Sequence, residues 1–129
     1  MATLDDKARE LLAGKNFATV ATVEPDGQPQ LSPVWVTHDG DDVLFSTTVG
    51  RRKHANIERN HRVTVCVLDQ EDPYTYVEIR GTATMTEEGG RELIDAFAKK
   101  YTGVDVFPGD GPDVVRVVVR VTPTKVIVG

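Results

Sequence analysis

The residues with chemistry to offer gather in one short run. Ser46, Thr47 and Thr48 are consecutive hydroxyls, Gly50 follows, and Arg51, Arg52 and Lys53 open a stretch to Arg59 free of glycine and proline. Val43 to Thr47 is β-branched and aromatic, so the run predicts a strand, a glycine turn and a short helix from Arg51 to Arg59 carrying Ala55 and Ile57. Between residues 51 and 62, Arg51, Arg52, Lys53, Arg59 and Arg62 face only Glu58, a local balance of +4 in a chain of net −5, which leaves −9 elsewhere. Free backbone N–H groups at a helix start, hydroxyls and fixed cations together form a site for a phosphate or a carboxylate. The helix dipole favours cations at the C-terminal end, so cations on the first turn cost about 0.3–1 kcal/mol each unless an anion lies among them. The phosphate reading takes Lys53 as a surface cation whose replacement should barely change folding, and the competing reading is a solvated basic helix paired with acidic neighbours.

No second constellation competes with this one. His38, His54 and His61 have no tight spacing with one another or with the single cysteine, whereas a zinc site needs three or four convergent ligands. Cys66, between Val65 and Val67, has no partner for an internal disulfide and is expected as a buried strand thiol. There is no nucleophile elbow, nucleoside triphosphate loop or dinucleotide fingerprint. An acidic chain with one short basic patch argues against nucleic acid, which requires a broad basic face. No apolar run approaches the ~18 residues of a membrane span, and the N-terminus lacks the blocks of a signal peptide, which places the chain in the cytoplasm.

The 129 residues are expected as one domain, residues 1–129, with 40% hydrophobic content. Thr3 is a candidate cap for a first helix, with Leu4, Ala8, Leu11 and Leu12 as its apolar stripe and Gly14 as its stop. Phe17–Val23 and Leu31–Thr37 read as strands joined through Pro25-Asp26-Gly27, and His38–Asp41 turns the chain into the strand ending at Thr47. After the basic helix, Val63–Leu68 reads as a continuous buried strand and Tyr74–Thr86 as a long one, with Gly81 marking a bulge or bend. Glu87–Tyr101 has helical spacing in Leu93, Ile94, Phe97 and Ala98, and residues 102–113 read as a mobile loop. Val114–Val121 and Lys125–Val128 close the sheet, separated at Pro123. Six or seven strands with short helices predict a mainly β fold, a closed or nearly closed antiparallel barrel, because an open sheet of this size leaves long edges exposed.

The run from Ser46 to Lys53, followed by Asn56-Ile57 and Asn60-His61-Arg62-Val63, resembles the cofactor-phosphate motif of the flavin-binding split-barrel superfamily, the pyridoxamine 5'-phosphate oxidase-like proteins. The variant is similar to the branch that uses the deazaflavin coenzyme F420. The resemblance spans Phe17 to Val128 and implies a six- to seven-stranded split barrel, a homodimer, and a cofactor in the groove between subunits. It implies that Pro33, Val34 and Trp35 lie along the ring system, that Ser46 and Thr47 serve the ring and ribityl side, and that Thr48, Arg51, Arg52 and Lys53 hold the phosphate. Tyr76, with Tyr74 beside it, falls where related chains bring aromatic groups to the groove. For Trp35 the rival reading is core packing, and for Ser46 and Thr47 it is cross-strand pairing.

The resemblance implies an F420-dependent oxidoreductase that passes hydride from reduced deazaflavin to a small conjugated or heterocyclic substrate. The alternatives are an FMN-binding oxidoreductase of the pyridoxamine phosphate oxidase type and a non-enzymatic flavin- or haem-binding module. Against the oxidase itself, Ser32-Pro33-Val34-Trp35-Val36 departs from that family's basic Arg-x-Val-Leu-Leu-Lys strand, and no Arg-Leu-x-Pro segment follows Thr122-Pro123-Thr124.

Overall fold

Seven antiparallel strands and three short helices make up the computed structural model, which describes residues 2–129. Their order is α1 (Asp6–Ala13), β1 (Ala18–Val23), β2 (Pro29–Val34), β3 (Val36–Asp39), β4 (Asp42–Thr48), α2 (Arg52–Arg59), β5 (Arg62–Leu68), β6 (Tyr76–Thr86), α3 (Gly90–Thr102) and β7 (Arg116–Val128). The spatial order is β2-β1-β5-β6-β7-β4-β3. Its two edge strands, β2 and β3, are separated in sequence by Trp35 alone, so the sheet must curl until its edges approach there. The result is the split barrel expected for a sheet that cannot leave long edges open.

Alternation along the strands fills the barrel. Val20, Val43, Phe45, Val65, Val67, Val77, Ile79 and Val119 are fully buried, each contributing roughly 1.5–3 kcal/mol. Helix α1 covers one end with Ala8, Leu11 and Leu12, joined in the same cluster by Leu4. Helix α3 lies outside the barrel, burying Ile94, Phe97 and Ala98, and packs chiefly on β7 and β4. Among the described residues no helix is long and apolar enough to cross a membrane.

Several local expectations change in three dimensions. Leu31–Thr37 is not one strand: β2 pairs with β1 and β3 with β4, and the chain changes partner at Trp35. The cap of α1 is Asp5, whose carboxylate accepts from the Ala8 N–H at 2.8 Å, rather than Thr3. Helix α3 starts at Gly90 instead of Glu87, after Gly89 in a left-handed conformation. Strand β5 alternates, with Val63, Val65 and Val67 inward, so the Cys66 thiol is half-buried on the outer face instead of in the core. Burial, then the Glu78 carboxylate, raises its pKa.

Pro123 does not end a strand either. Strand β7 runs through it because the β6–β7 register shifts at Arg80/Gly81, where Gly81 pairs with Pro123, a residue with no N–H to donate. The backbones approach so closely that a Cβ on Gly81 would lie 2.3 Å from the Thr122 carbonyl oxygen. Gly81→Ala is therefore expected to destabilise the fold by about 1–3 kcal/mol, the range of forced overpacking, read as a lower urea midpoint with unchanged slope. An unchanged midpoint would mean that the bulge relaxes freely.

Candidate functional site

Strand β4, helix α2 and the β2–β3 corner converge on a cleft of about 420 Å³. Pro33, Val34 and Trp35 line it from the corner, Ser46, Thr47 and Thr48 from β4, and Arg51 and Lys53 from the start of α2. Phe17, Ile94, Phe97, Phe107 and Arg116 complete the wall. The volume falls within the ~300–1,000 Å³ of small-molecule sites, with an apolar side and a few convergent polar groups.

The helix start is built by the local sequence. Gly50 takes φ +95°, a left-handed turn that a residue with Cβ resists, and the Arg51 N–H donates to the Thr48 carbonyl at 3.2 Å. Arg51 is the N-cap but supplies no side-chain cap, and the first turn holds no acidic residue. The first intrahelical bond runs from the Ala55 N–H to the Arg51 carbonyl at 3.1 Å, so the amides of Arg52, Lys53 and His54 have no partner within the helix. Asn56 and Ile57 anchor α2: both are buried, and the Asn56 side-chain amide donates to the Thr22 hydroxyl at 3.0 Å.

Lys53 is the electrostatic centre of this site. It is only 8% exposed, and among the described residues no carboxylate lies within ion-pair distance of it or of Arg51. Burial first, then the charges of Arg51 and Arg116, hold its ammonium below the ordinary lysine value. The expectation of an exposed lysine is thus overturned, because the helix start is packed against the cleft. Nearby, the Thr47 hydroxyl is buried without a hydrogen-bond partner. A buried unpaired cation and an orphaned hydroxyl both call for an acceptor the chain does not supply.

Arg52 turns away from the cleft, its guanidinium donating to Glu24 at 2.6 Å and holding that carboxyl below its usual range. Tyr76 lies outside the cleft as well, beside Gly129 at the far end of β6, and Tyr74 is 90% exposed. Trp35 stacks on Tyr101 with ring centres 5.2 Å apart and meets the edge of Phe107 at 5.9 Å, so it both packs and lines the cleft. Tyr101 donates its hydroxyl hydrogen to the Asn16 carbonyl at 2.6 Å and accepts from the Val36 N–H at 3.2 Å. The neighbouring Lys100 ammonium donates to the Leu12 and Val36 carbonyls, at 2.9 and 2.6 Å, and burial pushes its pKa down to about 8. The end of α3 therefore fixes the corner that carries Trp35.

Phe17, Ile94, Phe97, Phe107 and Arg116 were not among the sequence candidates. A lone arginine between Val115 and Val117 was the available signal, but its partner Asp110 sits in the loop read as mobile. Among the described residues no three His, Cys, Asp or Glu side chains converge to hold a metal ion.

The seven-stranded sheet and three short helices form the split barrel of the pyridoxamine 5'-phosphate oxidase-like proteins. A family model described as pyridoxamine 5'-phosphate oxidase matches residues 4–128, and the chain belongs to that family. Among solved structures it is similar to an F420 reductase, with 29% identity, a TM-score of 0.84, and 96% of this chain and 98% of that one covered. It also shares its fold with a conserved hypothetical protein from Mycobacterium tuberculosis, at 24% identity and TM-score 0.77, covering 98% and 84% of the two chains. General stress protein 26 from Bacillus anthracis matches at 18% identity and TM-score 0.71, covering 95% and 91%.

The unpaired Lys53 has a consequence for the ligand-free protein. Its folded pKa lies below its unfolded value, so the destabilisation is complete at neutral pH, where both states are protonated, and disappears as pH rises through the folded pKa toward 10.5. Lys53→Met is expected to raise ligand-free stability by about 1 kcal/mol or more at pH 7, with the gain shrinking as pH approaches 10. Melting temperatures of both proteins across that range read the effect; an equal or lower melting temperature for the variant at pH 7 would show that Lys53 is not strained.

Proposed function

We propose that this chain is an F420-dependent oxidoreductase acting on a small conjugated or heterocyclic substrate. The observation that carries the reading is Lys53, buried without a carboxylate beside the equally unpaired Arg51 at the start of a helix with unpaired amides. That arrangement fits a phosphate. The similarity to an F420 reductase over nearly the whole chain favours the deazaflavin over FMN. The β2–β3 segment Ser32-Pro33-Val34-Trp35-Val36, which carries no basic residue, weighs against the oxidase activity itself.

Bound reduced deazaflavin would supply a hydride for an electron-poor carbon. The chain's own residues would bind, orient and exclude water. Arg51, Lys53, Thr48 and the first amides of α2 would hold the phosphate, and Thr47 would give its orphaned hydroxyl to the ligand. Pro33, Val34 and Trp35 would support the ring system along the corner. Among the described residues the cleft pairs no nucleophile with a base, so acceleration would come from holding reactants in a water-poor groove.

The groove would be completed by a homodimer in the cytoplasm. Phe17 lines the cleft yet is 55% exposed, and Leu31 and Leu68 are exposed at 63% and 44%, an apolar surface suited to a second copy. Tyr76 and Arg52 have no access to the cleft within their own chain, and contact with cofactor would require that second copy. Sedimentation with cofactor at micromolar protein should give a dimer, and a monomer there would remove the second wall.

Titration with F420 and with FMN, followed by fluorescence, tests the assignment. Tighter F420 binding is expected, with quenching of Trp35, the only tryptophan. Lys53→Met should weaken binding roughly ten- to a hundred-fold, the loss of one charge-assisted contact worth about 1.5–3 kcal/mol. Added salt should weaken wild-type binding by screening over about 10 Å at 0.1 M. Tighter FMN binding would transfer the site to a flavin oxidoreductase, and unchanged affinity in Lys53→Met would refute the phosphate site.

A further inference from the structure

We infer that Arg116 is a second ligand-reading residue of this cleft, a preset neutral-pair donor to an acceptor oxygen on the ring portion of the cofactor; this rests on the cofactor reading above. Arg116 opens β7 directly opposite Thr48, and its side chain is only 12% exposed. Its Nε and Nη2 are both taken by Asp110, at 2.7 and 2.8 Å, in a two-pronged pair. Asp110, with a side chain 6% exposed, also accepts from Arg91 at 3.0 Å, while Asp95 stands 3.7 Å from Arg91. Two carboxylates thus balance two guanidiniums, and Arg116 differs in kind from Lys53 and Arg51, whose charges are unmatched.

The fork leaves Nη1 as the free arm. It points to the Ser46 hydroxyl at 3.3 Å, a long contact that occupies at most one of its two hydrogens. The guanidinium carbon lies over Phe107, 4.9 Å from the ring centre, and Phe107 also meets Trp35. Phe107 is itself tied down, its N–H donating to Asp95 at 2.8 Å. Arg116 therefore stands against the aromatic wall of the cleft, with its donor geometry set before any ligand arrives. A planar heterocycle against Trp35 would present its edge carbonyl or phenolate oxygens to such an arm, and a fixed fork reads one oxygen in place better than a flexible ammonium does.

Neutral pairing separates this role from that of Lys53 by experiment. The probes are riboflavin and the F420 deazaflavin riboside, neither of which carries phosphate, measured by fluorescence at low and high salt against wild type, Arg116→Met and Lys53→Met. Arg116→Met should weaken both probes about tenfold, equally at the two salt concentrations, while Lys53→Met leaves them unchanged and weakens only the phosphorylated cofactors. Because Arg116→Met strands the Asp110 carboxylate, Arg116→Met/Asp110→Leu is measured beside it, removing the pair without a buried lone charge. Arg116→Lys should fail to restore affinity, since it returns the charge without the fork. Unchanged probe affinity in both Met variants overturns the inference alone. A loss confined to phosphorylated ligands overturns it in favour of a phosphate role. Wild type that binds neither the probes nor their phosphorylated forms overturns the inference and the cofactor reading together.

Discussion

One residue separates β2 from β3, and these two strands are the edges of the sheet. A chain that runs from one edge of a seven-stranded sheet to the other through Trp35 must bend the sheet into a barrel, since covalent continuity leaves no room for flat edges. The strands cannot pair with each other across the corner, so backbone groups of Val36 find other partners. Tyr101 takes its N–H, and Lys100 donates to its carbonyl. Helix α3 is consequently part of the barrel's closure as well as a cover for β4 and β7, and the opening left at the corner becomes the cleft. The same helix supplies Ile94 and Phe97 to the wall, so closing the sheet and shaping the site are one event.

The three helices obey charge rules unequally. Helix α1 has an aspartate cap and an acidic residue on its first turn; α3 has Glu92 early and Lys99 and Lys100 late, as the macrodipole prefers. Helix α2 keeps a cation, Arg59, on its last turn but breaks the pattern at its start, with cations there, no side-chain cap and a buried lysine. Proteins break local rules where function demands it and compensate elsewhere. Here Asn56 and Ile57 supply the compensation, tying the helix to β1 and the core so that an unfavourable end can persist. Arg52, one residue from the cleft, escapes the conflict by reaching Glu24.

The loop between α3 and β7 shows how composition misleads. Its glycines and prolines read as a mobile segment, yet Phe107 seats against Trp35 and Asp110 is buried between two arginines. Glycine and proline limit regular structure; they do not prevent individual side chains from being pinned by ion pairs and aromatic contacts.

Local chemistry was sufficient for the strand, turn and helix from Val43 to Arg59, for the apolar stripes of α1 and α3, and for the bulge at Gly81, because periodicity and turn geometry depend on neighbours a few residues away. The Ser46 to Lys53 run carried the family for the same reason: its strand end, glycine turn and helix start are contiguous in sequence. Tertiary structure alone decided that Leu31–Thr37 divides at Trp35, that β7 passes through Pro123, and that Lys53 is buried while Arg52 faces solvent. It alone brought Arg116 to Ser46, 70 residues away, and Phe107 to the corner. Those outcomes depend on which strands pair and in what register, which is settled by long-range burial and by the requirement that the sheet's two edges meet.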